Sequence, residues 1–158
     1  MCGGPKIRDW KTNTDGSRSI DEAIALLANN DIVIPEDVRF VLWDDLPADT
    51  PASYLLPQRC SANTLLRWDT LLLNKYGEVL IRIRPSVLES DEQIIAVISH
   101  ELHELSLLRQ YFDEHETVPA TRIRSLIDYD NPGKNFHCLA WQRGDEAVLE
   151  FRRRHHGQ

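Results

Sequence analysis

The sequence predicts an α+β domain, in which a long helix and further helices pack on a small, mainly antiparallel sheet. Two observations predict this class. Strand-like segments lie in the middle of the chain, whereas helical periodicity dominates after residue 90 and one helix precedes the first strand. The chain has 158 residues, of which 42% are hydrophobic, enough for one domain with its own core. Residues 18–153 are therefore expected to form a single domain, between a loose arm at 1–17 and a tail at 154–158.

The first half of the chain alternates between short regular elements and loops. Apolar residues recur at helical spacing in "SRSIDEAIALLANN", with Ser19 or Asp21 as the start signal. "DVRFVLWDD" predicts a strand at about 37–43, and the proline-rich segment 44–63 is predicted to be a long loop. "LLRWDTLLL" and "VLIRIRP" follow, joined by "NKYGE", and predict a β-hairpin with Gly77 in its turn.

The second half is predicted to be helical. Ser90 followed by Gln93 at the third position is a capping-box pattern, and Asp91 favours a helix start, so a helix is expected at about 91–112. A short helix at about 119–128, a "DNPGK" turn and a final helix at about 135–152 complete the predicted order.

Composition excludes several classes of function. The formal net charge is -7, which disfavours nucleic acid as a partner, and the short "FRRRHH" cluster fits a solvated helix end. No apolar run approaches the roughly 20 residues that span a bilayer, and the N-terminus lacks a signal-peptide pattern. Three cysteines at no metal-like spacing indicate reduced thiols. We expect a soluble protein that is cytoplasmic, or secreted without a cleavable signal peptide of its own.

The segment "VISHELHEL" carries the clearest chemical signal. Successive helical residues turn by about 100°, so with Ile94 at zero Glu101 lies near about 340°, inside the apolar stripe. His100 and Glu104 lie one turn apart at one edge of that stripe and can converge on one ion. His103 points away and is predicted to be a surface residue.

Glu101 needs compensation, because an unpaired buried carboxylate costs several kcal/mol or changes its protonation. One interpretation pairs it with Arg82 or Arg84 of the predicted hairpin, with no metal. The other makes it the base of a metal site whose first ligands are His100 and Glu104.

The final helix favours the metal site. His137 shares the inward face of that helix with Trp141 and Gly144, and Gly144 would permit close helix approach. A third imidazole facing inward supplies what a three-ligand site requires. His115, just past the end of the long helix, is the alternative third ligand.

Residues from about 78 to 150 resemble the core of the zincin metallopeptidases. The strand "VLIRIRP", the connection "SVLESDEQ" and a helix carrying His-Glu are similar to their core, with the strand along the substrate cleft. "ISHELHEL…LRQYF" followed by "GKNFHCLAW" most resembles zincin-like domains at the C-termini of bacterial polymorphic toxins.

The resemblance implies a zinc-dependent hydrolase of a protein or peptide. His100, Glu104 and His137 would bind the metal, and Glu101 would activate a metal-bound water for attack on a peptide carbonyl. It also implies a cognate immunity protein as a possible partner, and delivery of the chain as part of a larger toxin without its own signal peptide. Glu104 stands where the commoner zincins have histidine, which still suits Zn²⁺ and admits Mn²⁺ or another divalent metal.

The sequence leaves other classes of function open. The chain could be an acidic interaction or immunity-type protein without a catalytic metal, a catalytically inactive zincin-like domain, or a different metallohydrolase or nuclease with the same ligands. A di-iron bundle is disfavoured, because the Glu-x-x-His pairs that it needs on two helices are missing.

Overall fold

A computed structural model of the chain describes residues 6–47, 49–54, 64–71, 76–127 and 135–155. Within these residues the α+β class is confirmed. Helices pack against a three-stranded sheet, and two further short strands form a separate ladder. Across the described part of the chain, no helix has the length and apolar character needed to cross a bilayer.

The sheet is built around one central strand. The strands are β1 (Val38–Leu42), β2 (Ala52–Tyr54), β3 (Leu65–Leu66), β4 (Val79–Ile83) and β5 (Val118–Pro119). In the three-stranded sheet the order is β1-β4-β2, with β1 parallel and β2 antiparallel to β4. The sheet is therefore mixed. Burial alternates along β4, since Val79, Ile81 and Ile83 are buried while the residues between them are half-buried.

The predicted β-hairpin is wrong. Leu65 and Leu66 pair with β5 instead of with β4, and Trp68–Leu71 forms the short helix α2. Gly77 does lie in a turn, with a positive φ of 75°, but this turn does not join two paired strands. The physical reason is that β4 is already bonded on both sides by strands from elsewhere in the chain.

The segment predicted to be a long loop contains β2. Three residues are too few to show a strand-like alternation, so no pattern marks them in the sequence. Residues 48 and 55–63 of the same predicted loop lie outside the described residues, as does the predicted "DNPGK" turn.

The predicted helices are confirmed with small changes at their ends. They are α1 (Ile20–Asn29), α3 (Asp91–Glu114), α4 (Ala120–Ile127) and α5 (Phe136–His155), and a 3₁₀ helix (Pro85–Glu89) leads into α3. The Ser19 hydroxyl accepts from the backbone of Glu22 in a complete capping box, and Ser90 accepts from the backbone of Gln93.

Helices α3 and α5 form the main packing interface that carries the polar cluster described below. They run antiparallel, because Glu92 near the start of α3 binds Arg152 near the end of α5. A Cβ at Gly144 would lie 2.8 Å from the carbonyl oxygen of Ala96, so glycine permits a close approach of the two helices. The expectation for Gly144 is thus met.

The described part of the predicted loose arm is held by hydrogen bonds. The backbone amide of Lys11 donates to the buried carboxylate of Glu92, and the amides of Lys6 and Ile7 donate to the carboxylate of Asp145. The arm therefore lies against α3 and α5, which differs from the prediction. Its low-hydrophobicity sequence gives no sign of this, because the bonds come from its backbone amides. The predicted tail also begins later, since α5 continues to His155.

Candidate metal centre

Three side chains from two helices meet beside the central sheet. One nitrogen of His100, one nitrogen of His137 and a carboxylate oxygen of Glu104 all lie within 4.8 Å of one another. His100 Nε2 is 3.5 Å and His137 Nδ1 is 3.1 Å from the same oxygen, Glu104 Oε2. The three sequence-predicted ligands are therefore brought together, and the group could hold a metal ion.

The positions of these residues follow from the local structure of their helices. His100 and Glu104 are one turn apart on α3, and both are buried, as is Glu101. His137 lies in the first turn of α5, where the side chain of Asn135 accepts a hydrogen bond from the backbone amide of Cys138 at 2.8 Å. This cap fixes the start of α5 and with it the place from which the His137 ring projects.

Burial keeps His100 in the form that a metal ligand needs. The pKa of His100 is held well below its ordinary value, mainly because burial penalises the imidazolium, and secondarily because His137 and His103 lie nearby. A neutral ring at neutral pH has a free lone pair for a cation. His103 is half-buried, so the prediction of a surface residue holds only in part.

Glu101 is a buried carboxyl group with an unusual environment. Burial raises the pKa of Glu101 well above its ordinary value, and the neighbouring carboxylate of Glu104 adds to the rise. Its Oε1 lies 3.9 Å from His100 Nε2, close to the group of possible ligands. A carboxyl group with a raised pKa beside possible metal ligands is a candidate for transferring protons.

The alternative pairing of Glu101 with an arginine is not found among the described residues. Arg82 donates to the hydroxyl of Ser53 at 3.3 Å, and Arg84 donates to the backbone carbonyl oxygens of Leu46 and Pro47. Neither guanidinium forms an ion pair with Glu101.

Two residues make contacts to the candidate ligands that the sequence did not predict. The hydroxyl of Tyr54, on β2, donates a hydrogen bond to Glu104 Oε1, and this tyrosine is buried. The pKa of Tyr54 is raised, first by burial and then by the charges of Glu104 and Glu101, so the hydroxyl stays protonated. Trp141 donates from its indole nitrogen to His137 Nε2 at 3.2 Å and packs against the ring of His100 at 4.1 Å between centroids.

The site opens into a cavity of about 620 Å³. His100, Glu101 and His137 line it together with residues of the arm, of the segment before β2 and of the 3₁₀ helix region. Glu104 is not among the residues that line the cavity, and its Oε1 accepts from Tyr54. A group in the cavity can thus reach two imidazoles and the Glu101 carboxyl group, which a closed structural site would not allow.

The alternative ligand His115 is not brought to this site. It follows the last residue of α3, is exposed, and stacks on Tyr111 at 4.3 Å between ring centroids. The two rings pack against each other at the end of α3.

The residues present fit a divalent metal by their chemistry. Two imidazoles and one carboxylate are a ligand set that zinc accepts, and the site faces a cavity with room for water or substrate. Metal binding through Nδ1 of His137 requires the hydrogen bonds of this ring to change. At present its Nε2 accepts from Trp141 while its Nδ1 faces Glu104.

Comparisons with known protein families, with curated proteins and with solved structures find no match to this chain.

Proposed function

We propose that this protein is a metal-dependent hydrolase of peptide bonds, with Zn²⁺ as the favoured metal and Mn²⁺ as the alternative. The observation that carries the proposal is the convergence of His100, Glu104 and His137 beside the buried carboxyl group of Glu101. The resemblance of "VISHELHEL" and "GKNFHCLAW" to zincin-like toxin domains supports the same hydrolase function and suggests an effector role.

Each residue has a distinct part in the proposed chemistry. His100, Glu104 and His137 would hold the metal, which supplies a Lewis acid that acidifies water and polarises a carbonyl oxygen. Glu101 would take a proton from the attacking water and return it to the leaving amine. The carboxyl group must act first as a base and then as an acid, and its position beside the candidate ligands would allow both.

Tyr54 and Trp141 would position the ligands. The Tyr54 hydroxyl holds one oxygen of Glu104, which leaves the other oxygen facing the two histidines. Hydrogen bonds of this kind orient metal-binding carboxylates and tune the affinity of the site. Trp141 packs on His100 and limits the rotation of its ring.

The proposal is tested by peptide hydrolysis with zinc-loaded protein and fluorescently quenched, denatured protein substrates. We expect the wild type to cleave and Glu101→Gln to lose activity by about 100-fold or more while retaining zinc. Glu114→Gln, at the exposed end of the same helix, is the matched control and should remain active. A zinc-loaded wild type no faster than buffer across a broad peptide panel, or a fully active Glu101→Gln, would overturn the proposal.

A further inference from the structure

Arg84 is an arginine of this acidic chain that forms no ion pair with a described residue. Most described arginines have an acidic partner within 4.0 Å; these are Arg18, Arg39, Arg67, Arg109, Arg143, Arg152 and Arg154. Among the described residues Arg84 has none, although the formal net charge of the chain is -7. A cation without a counter-charge is a candidate for binding an anion from outside.

The contacts that Arg84 does make hold its side chain in place without neutralising it. One terminal nitrogen donates to the carbonyl oxygens of Leu46 and Pro47, and the buried Nε has no hydrogen-bond partner in the described structure. Its backbone amide donates to the carbonyl oxygen of Pro51 at 2.9 Å. Carbonyl oxygens satisfy donors but carry no net charge, so the positive charge of the guanidinium remains.

Arg84 lines the same cavity as the candidate catalytic residue Glu101. A second guanidinium, that of Arg8, lines it as well, and Asp49 is the one acidic residue besides Glu101 among the described residues of its wall. Asp49 is exposed, and its carboxylate accepts from the hydroxyl of Thr50 at 3.5 Å. The cavity that Glu101 lines thus carries a positive charge at Arg84.

We propose that Arg84 binds a carboxylate of the substrate, so that the cavity selects peptides carrying a negative charge near the bond presented to Glu101. This inference rests on the proposed function and adds its substrate class. The carboxylate can come from an acidic side chain or from the C-terminus of the peptide. Hydrogen bonds between charged partners contribute more to binding than neutral ones, and the second terminal nitrogen of Arg84 is not used by the carbonyl contacts.

A matched control lies two residues away on the same stretch of chain. Arg82 also lacks an acidic partner among the described residues, has a buried Nε without a hydrogen bond, and donates to a neutral oxygen on Ser53. It lies over the ring of Trp43 at 5.4 Å and does not line the cavity. Loss of Arg82 therefore removes a comparable cation from the same region without touching the proposed binding site.

The experiment is a nuclear magnetic resonance titration of zinc-loaded protein with three six-residue peptides of otherwise identical sequence. The first has blocked ends and one glutamate, the second has blocked ends and glutamine in its place, and the third has glutamine and a free C-terminus. The indole signals of Trp10 and Trp141, which both line the cavity, report binding. Zinc content is measured in parallel for every variant.

We expect at least one carboxylate-bearing peptide to bind about fivefold to tenfold more tightly than the blocked glutamine peptide. This preference should vanish in Arg84→Gln, persist in Arg82→Gln and survive partly in Arg84→Lys. The lysine variant keeps the charge and tests the inference if Arg84→Gln does not fold. Preference for the glutamate peptide alone identifies a side-chain carboxylate, and preference for the third peptide alone identifies the C-terminus.

Equal affinities for the three peptides, no binding of any, or a preference that survives Arg84→Gln would each overturn the inference. If the protein binds zinc but has equal affinity for the three peptides, the proposed substrate class is wrong and the proposed hydrolase is not affected. If the carboxylate preference depends on Arg84 but the protein binds no zinc, the recognition stands and the proposed hydrolase fails.

Discussion

The indole nitrogen of Trp141 donates a hydrogen bond to Nε2 of His137, while Nδ1 of the same ring lies 3.1 Å from Glu104 Oε2. A neutral imidazole carries one proton, so in this arrangement the proton of His137 is on Nδ1 and is shared with Glu104. A metal bound at Nδ1 requires a lone pair there. The proton must then sit on Nε2, which ends the hydrogen bond from Trp141.

Zinc binding is therefore expected to move the indole N–H signal of Trp141 in a nitrogen-correlated magnetic resonance spectrum. The signal of Trp68, which packs edge-on against Phe112 at 6.0 Å between centroids, serves as the internal control and should change little. Stoichiometric zinc with an unmoved Trp141 signal would mean that Nδ1 of His137 is not a ligand.

The hydrogen bond from Tyr54 to Glu104 is expected to support metal affinity more than fold stability. Phenylalanine fills the same buried space but cannot orient the carboxylate, so Tyr54→Phe should weaken zinc binding by about tenfold or more. Competition with a fluorescent zinc chelator measures this. Tyr111→Phe, which alters a tyrosine stacked on His115 outside the cluster, should bind zinc like the wild type. Equal affinities for the two variants would remove Tyr54 from the site.

Gly144 sets the spacing between the two helices that carry the site. In an ordinary exposed helix position, alanine would be more stable than glycine by about 1 kcal/mol. Here the added Cβ would meet the carbonyl oxygen of Ala96 at 2.8 Å, so Gly144→Ala should instead destabilise by about 1–3 kcal/mol. Denaturant unfolding measures this free energy, and zinc affinity should fall as well, because α5 also carries His137.

The exposed Gln142 on the same helix provides the control for Gly144. Gln142→Ala should leave both the free energy of unfolding and zinc affinity close to those of the wild type. A Gly144→Ala variant more stable than the wild type would show that the two helices adjust without cost.

The pair of Asp91 and Arg18 predicts how stability depends on pH. Hydrogen bonds from Arg18, at 2.8 and 2.9 Å, are the main reason that the pKa of Asp91 lies below its ordinary value. Because the folded-state pKa is lowered, the pair stabilises the fold above the unfolded-state pKa of about 3.9. That contribution is lost as the pH falls through the folded-state pKa.

Asp91→Asn should therefore lower the free energy of unfolding by about 1 kcal/mol at pH 7 and by progressively less below about pH 4. Chemical denaturation between pH 3 and pH 7 follows this difference. Asp69→Asn, in the exposed pair with Arg67, should have little effect at any pH. If Asp91→Asn lowers the free energy of unfolding by the same amount at every pH, the contribution of Asp91 does not come from its charge.

Local signals predicted the helices and the residues of the candidate site. Ser90 and Asp91 mark the start of α3, and the place of Glu101 within an apolar stripe marks it as a buried carboxyl group, as the structure finds. The inward face of α5 likewise identified His137. These predictions depend on helical periodicity, which is a property of neighbouring residues.

Long-range pairing could not be predicted in the same way. The partner strands of β4 lie in separate parts of the chain, and β2 is a three-residue strand without a recognisable pattern. Tyr54 was not predicted as a site residue for this reason, since its contact with Glu104 spans 50 positions. The hydrogen-bonded arm and the contacts of Arg84 with carbonyl oxygens also depend on distant backbone groups that no local pattern shows.

Metal content is the direct measure of the proposed three-ligand site of His100, Glu104 and His137. Tag-free wild-type protein is incubated with zinc, freed of excess metal and measured by plasma mass spectrometry beside His100→Ala, His137→Ala and the control His115→Ala. We predict about one zinc per chain in the wild type and in His115→Ala, and loss of most of it in the other two variants. A wild type without zinc, or His100→Ala and His137→Ala variants that keep it, would contradict the three-ligand site. The buried carboxyl group of Glu101 would then belong to a protein of another class.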